Sequence, residues 1–221
     1  MGRRIWARAL GNVLLGMSLG LVSYYGLTAL MGWWAQADLA HAAGATPAFS
    51  ADDPNELLAP SGPALDFAGW AEEDLAYWEG RGAGDVFGRL VIPAMELDVL
   101  VVTGHQPADL RRGPGWIDYT DLPGPTGNCG ISGHRTTYGA PFRRLGEVAA
   151  GDTIDLYSPY RLYRYQVTEI LEVTPDRIEV VASTEQPMLT LTACHPPYSA
   201  KYRLIVHAEL VEVRRVETAE E

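Results

Sequence analysis

Lysine is nearly absent from this chain of 221 residues: Lys201 stands alone against sixteen arginines. Such a bias reflects genome composition rather than a binding surface. The basic residues form no stripe, so nucleic acid is not expected as a partner. Cysteine is as scarce. Cys129 and Cys194 are the two in the chain, and no CxxC or HxxxH spacing offers a structural zinc site. Charge is missing altogether from Ala9 to Ala37, and internal repeats are missing everywhere.

The uncharged run, ALGNVLLGMSLGLVSYYGLTALMGWW, is long enough to cross a bilayer, since ~20 apolar residues span ~30 Å of hydrocarbon. Arg3, Arg4 and Arg8 precede it and Trp33–Trp34 close it. That order predicts a cytoplasmic N-terminus, a signal-anchor over residues 1–37 and an extracellular remainder. A cleaved signal peptide is the competing reading, because AQA and AHA follow Trp34. The run exceeds the ~7–15 residues of a signal core.

The net charge of −11 sits mostly in residues 38–88, where ten acids face one base. Residues 38–65 are rich in Ala, Pro, Gly, Ser and Asp without apolar period, which predicts a linker. Residues 66–79 set Trp70, Asp74, Tyr77 and Trp78 near one helical face, with acids at the start, so a short helix docked on the next domain is expected. The linker segment as a whole is taken as 38–85.

From Phe87 the chain breaks into short β-type runs: FGRLVIP, LDVLVVTG, GNCGISGH, DTIDLYS, LYRYQVTEILEVT, IEVVA, MLTLTAC and YRLIVHAELVEV. Apolar and polar residues alternate within several of them, and turn residues separate them. This predicts an all-β barrel or sandwich over 86–221, with one helical turn in FRRLGEVAAGD.

Cys194 ends a strand-like run and is followed by His195-Pro196-Pro197. The proline pair turns the chain out of the sheet and leaves the thiol at a strand end. A disulfide to Cys129 stays open, because an oxidising compartment permits one. A nucleophilic thiol needs a base and an oxyanion donor, and His134 and Arg203 supply those residue types. Cys129, flanked by glycine in an apolar run, reads as a core thiol. His207 reads as structural. Arg135, next to His134, reads as the partner of a surface ion pair, with a second cation in the cleft as the alternative.

GRLVIPAMELDVLVVTG, GISGHR, TLTAC and YRLIVHAEL occur in an order that resembles the sortases, cysteine transpeptidases of the Gram-positive surface. GHRTTYGAPF with LTACHPPYSAKYRLIVHAELV is most similar to class E. The resemblance implies an eight-stranded β-barrel with short helices. It implies Cys194 as nucleophile, His134 as general acid/base and Arg203 as the oxyanion group. The implied reaction cleaves an LAxTG- or LPxTG-like sorting signal between Thr and Gly and passes the protein to an amine of a peptidoglycan precursor. No cofactor or metal is implied. Tyr138 matches the tyrosine linked to LAxTG preference, and Thr192, Ala193 and His195 are further expected substrate contacts. Ala193 departs from the family's TLxTC, where a Thr precedes the cysteine. A hydrolytic cysteine peptidase and an inactive binding barrel remain the alternatives.

Overall fold

The structure is a computed structural model that describes residues 2–44, 46–52 and 64–216. Its domain is a closed barrel of eight strands: β1 Val86–Ile92, β2 Leu97–Thr103, β3 Gly115–Trp116, β4 Asn128–Ser132, β5 Thr153–Tyr157, β6 Arg161–Val173, β7 Met188–His195 and β8 Tyr202–Arg215. Around the barrel they run β1-β2-β3-β4-β7-β8-β6-β5. The β2–β3 and β4–β7 pairs are parallel and the others antiparallel. Closure removes free sheet edges, and the alternation read in the sequence sorts side chains between interior and exterior. Leu189, Leu191 and Ala193 of β7 and Leu204, Val206 and Ala208 of β8 point into the core, where they meet Phe87, Leu90, Ile131 and Tyr163.

Seven of the eight sequence runs form strands. IEVVA does not. Ile178–Val181 is a 3-10 turn lying outside the sheet. The carbonyl of Val180 accepts from Asn128 Nδ2 at 3.4 Å and lies 3.0 Å from His207 Nε2. The missing strand is Gly115–Trp116, too short to show a period. The turn expected in FRRLGEVAAGD is the 3-10 segment Leu145–Glu147.

The docked helix is present. A π turn, Ala71–Leu75, runs into α3, the third α-helix among the described residues, which spans Ala76–Glu79. Trp78 donates from Nε1 to the Phe87 carbonyl at 2.9 Å and stacks on that ring. Asp74 and Arg161, both 0% exposed, form a buried ion pair, and Ser158 Oγ also donates to Asp74. Arg161 adds Glu73 at 2.7 Å and the Asp66 carbonyl at 3.2 Å. Segment 64–79 is therefore fastened to the barrel rather than free.

The first helix, α1, spans Gly2–Ala43 and does not stop at residue 37. At 1.5 Å per residue it is roughly 63 Å long, about twice a bilayer core. Trp6–Ala43 is long and apolar enough to cross a membrane. Its far end instead packs on the outside of the barrel. Gln36 Nε2 donates to the carbonyls of Leu100 (3.1 Å) and Arg112 (2.8 Å), and its Oε1 accepts from Leu100 N at 2.9 Å. Leu39 is buried with Phe49 of α2 (Pro47–Ser50), Val102 and Leu162. The start of the expected linker is thus rigid helix. Residues 53–63, its middle, lie outside the described residues.

Removing one member of a buried ion pair typically costs about 3–5 kcal/mol, because the other charge is stranded. Asp74→Ala is expected to destabilise the barrel by about that much, read as a lowered urea midpoint. A loss under about 1 kcal/mol would show that Arg161 finds water instead.

Candidate active site

Three adjacent strands set the site. Cys194 on β7 stands opposite Arg203 on β8. On the other side of β7, Ser132 pairs with Thr192, and Gly133 N extends the ladder to Thr192 O at 3.1 Å. Carrying that register two residues onward sets His134 level with Cys194. Because Leu191 and Ala193 face inward, Thr192 and Cys194 face outward, on the side of the sheet shared with Arg203. The thiol and guanidinium thus leave neighbouring strands at one level of one face, and His134 lies two residues beyond the end of β4, next to them in register.

Local packing fixes the histidine. After Gly133 the chain bends, and Phe142 N donates to the His134 carbonyl at 2.9 Å. The Phe142 ring, fully buried, lies against Gly133, where a Cβ would meet it at 2.6 Å. The His134 ring sits 5.4 Å from that of Tyr138. Burial, and then the nearby Arg111 charge, hold its pKa below the ordinary imidazole value. Arg111 also lies over the Tyr138 ring, 5.8 Å from its centre. Tyr138, Ala140 and Tyr198 adopt left-handed φ of 52°, 47° and 67°. Such backbone strain, of order 1–3 kcal/mol per residue, gathers at functional sites.

Both cysteines are free. Cys129 pairs with Leu189, so Cys194 lies further along β7, roughly 16 Å away at ~3.3 Å per residue. A disulfide needs Cα atoms within ~4.4–6.8 Å. Cys129 also faces the core, where burial pushes its thiol pKa far up. Cys194 is half-buried and outward-facing. Among the described residues no group of three His, Cys, Asp or Glu could hold a metal.

Arg203 turns its guanidinium onto its own loop, donating to the Ala200 and Tyr202 carbonyls at 3.2 Å each. It also lines a groove of about 270 Å³ with Ser132, Thr192, Ile205, Val181 and Ile117. Thr192 is therefore placed beside Cys194, in this groove. Ala193 is not: it is buried in the core, so the expectation that it contacts substrate fails, and a Thr there would point inward too. Tyr138 stands beside His134 and outside this groove, toward α1.

His195 does not face open solvent. Its Nδ1 lies 2.8 Å from Arg135 Nη1, and its Nε2 lies 3.0 Å from Glu172. A guanidinium only donates, so Nδ1 accepts and the ring proton belongs on Nε2, toward the carboxylate. Arg135 corrects the sequence reading. It is only 8% exposed and has no carboxylate partner among the described residues; its Nη1 also donates to the Cys194 carbonyl at 3.4 Å. Sequence reasoning also missed Arg111 and the docking of helix α1 against the loop after His134. A Cβ at Gly32 would sit 2.5 Å from the Tyr138 carbonyl carbon, and Tyr25 meets Tyr198 edge-on at 6.0 Å. Only the adjacency of GHR hinted at the second cation.

The sortase domain family matches residues 90–211. Sortase SrtE2 of Streptomyces coelicolor is 30% identical over 241 aligned positions, covering 97% of this chain and 87% of that protein. The crystal structure of Sortase E1 from Streptomyces coelicolor with tripeptide in the active site superposes with a TM-score of 0.58 at 29% identity. It covers 63% of this chain and 95% of that one. A Clostridium perfringens sortase C, solved with the C-terminal cell wall sorting motif, gives a TM-score of 0.57 at 26% identity over 60% of this chain and 74% of that one. A closed eight-stranded barrel of this strand order is the architecture of those sortase structures. This chain belongs to the sortase family. It spans less than two thirds of the length of most curated relatives it matches.

Arg111→Gln removes a positive neighbour from the imidazole. The His134 pKa is expected to rise toward the ordinary ~6.5, followed by NMR titration of the ring. An unchanged or lower value would show that the Arg111 charge is already screened.

Proposed function

We propose that this chain is a membrane-anchored cysteine transpeptidase that acts on an LAxTG- or LPxTG-like sorting signal at the outer cell surface. Helix α1 is the anchor, with its N-terminus in the cytoplasm. Cys194, His134 and Arg203 carry the chemistry. The observation that carries this reading is the pairing of Cys194 with Arg203 across β7 and β8, with His134 two residues beyond the Ser132–Thr192 pair that joins β4 to β7. The groove beside Thr192 and Arg203 supports it, since Ile205, Val181 and Ile117 in its mixed lining suit the alanine or leucine of such a signal.

The Cys194 thiolate attacks the carbonyl carbon of the Thr–Gly bond. The new C–S bond places negative charge on the carbonyl oxygen, and Arg203 stabilises it by exchanging a loop carbonyl for the oxyanion. A guanidinium keeps its proton there, so it donates without losing charge. His134 protonates the departing glycine amine as the C–N bond breaks. A depressed imidazole pKa makes the protonated ring a stronger acid and leaves the neutral ring ready to take a proton in the second half-reaction. The thioester is then attacked by an amine of a peptidoglycan precursor, and the C–S bond breaks to return the thiol.

Cys194→Ala is expected to abolish any adduct of the full chain with LAxTG or LPxTG peptides, read by mass spectrometry. Arg203→Ala is expected to lower kcat about 10²–10³-fold, as loss of an oxyanion donor does. Turnover by the Cys194 variant at the normal rate would refute the assignment. Products that remain hydrolytic with oligoglycine and diamino acceptors present would favour a peptidase.

A further inference from the structure

A second space opens on the far side of Tyr138 from its own core. It is a cavity of about 240 Å³ between α1 and the loop that follows His134, and it shares no lining residue with the groove of Thr192 and Arg203. Tyr25 and Thr28 of α1 form one wall; Arg135, Thr137, Arg143 and Tyr198 form the others. No carboxylate lines it among the described residues. Arg135 is 92% buried, by its 8% exposure, and its Nε has no hydrogen-bond partner. Arg143 is exposed and, among the described residues, unpaired, while the next residue, Arg144, is held by Glu96 and Glu147. Arg111 stands nearby over Tyr138. Two guanidinium groups around one cavity without a carboxylate partner among the described residues are unexpected in a chain of net charge −11, because acids are available and none has been placed there. An anion would complete the arrangement, and a planar carboxylate fits a guanidinium fork.

The cavity touches the proposed chemistry through two residues. Arg135 lines it and donates to the Cys194 carbonyl, and Tyr138 lines it and faces the His134 ring. A transpeptidase needs a second substrate to reach the thioester without crossing the groove that holds the first.

We propose that this cavity is the acceptor site, that it binds an amine carrying a carboxylate, and that helix α1 is one of its walls. This rests on the transpeptidase reading above. The carboxylate lies on Arg135 and Arg143, and the amine reaches past Tyr138 to the thioester. The amine nitrogen bonds to the acyl carbon, the C–S bond breaks, and the amine proton passes to His134 and on to the sulfur. A thioester and an amine become an amide and a thiol.

The test uses the full chain in nanodiscs with a sorting-signal peptide and, as acceptor, diaminopimelate or its diamide. Mass spectrometry reads the ratio of aminolysis to hydrolysis product for each. Diaminopimelate is expected to be captured about tenfold better than the diamide, as one charge-assisted hydrogen bond supplies. Arg143→Gln is expected to erase that preference. Ala29→Trp, which fills the cavity from the helix side, is expected to lower capture of both. Equal or better capture of the diamide by the unaltered protein would overturn the proposal, as would a preference that survives both substitutions. Absence of any thioester on Cys194 would instead sink the transpeptidase reading, and this inference with it.

Discussion

The hydrogen-bond register across β4, β7 and β8 is the constraint on which everything else depends. Side chains on a strand alternate faces, so a slip of one residue between β7 and either neighbour would send Cys194 into the core and Ala193 to the surface. The slip is prevented by what the inner face buries. Leu189, Leu191 and Ala193 pack against Ile131, Leu204 and Val206, and each fully buried aliphatic side chain contributes about 1.5–3 kcal/mol. The reactive thiol owes its position to its inert neighbours.

Around that frame, polar contacts orient what the strands only bring near. Arg135, His195 and Glu172 form a connected row behind the nucleophile, ending on the Cys194 carbonyl rather than on its sulfur. Asn128 and His207 hold the 3-10 turn over the sheet. These groups shape the groove. It lies over the sheet and has a mixed polar and apolar lining that includes Arg177 and Arg203; another opening, with Arg135 and Arg143 in its walls, lies against α1.

Most of the barrel was legible in the sequence because period-two alternation is a direct record of a half-buried strand. FGRLVIP, MLTLTAC and YRLIVHAEL fell where β1, β7 and β8 lie. IEVVA misled because an apolar run of that length cannot tell a strand from a turn pinned by distant side chains. Gly115–Trp116 left no trace because two residues have no period. The three residues proposed to carry the chemistry were suggested by the family resemblance; spacing alone leaves a thiol, a ring and a cation unconnected. Thr192 and Ala193 show the limit of one-dimensional reasoning. The alternation rule was in hand, yet which of the two faces outward depends on the register with β4 and β8. Arg135 read as a surface ion-pairing residue because sequence carries no record of what a loop buries. The docking of α1 was invisible because Gly32 and Gln36 sit in a run that composition reads as membrane throughout.

Helix α1 is continuous from the apolar half to the contacts at Tyr25, Gly32 and Gln36. Under the proposed anchored reading, with about 20 residues inside a bilayer, the remainder would work as a ruler, not a leash. The face that carries Cys194 would then keep a set height above the lipid headgroups, with little vertical play. A substrate that presents its scissile bond at that height would meet the thiol without stretching, so spacer length would become a second criterion of selection beside the motif itself.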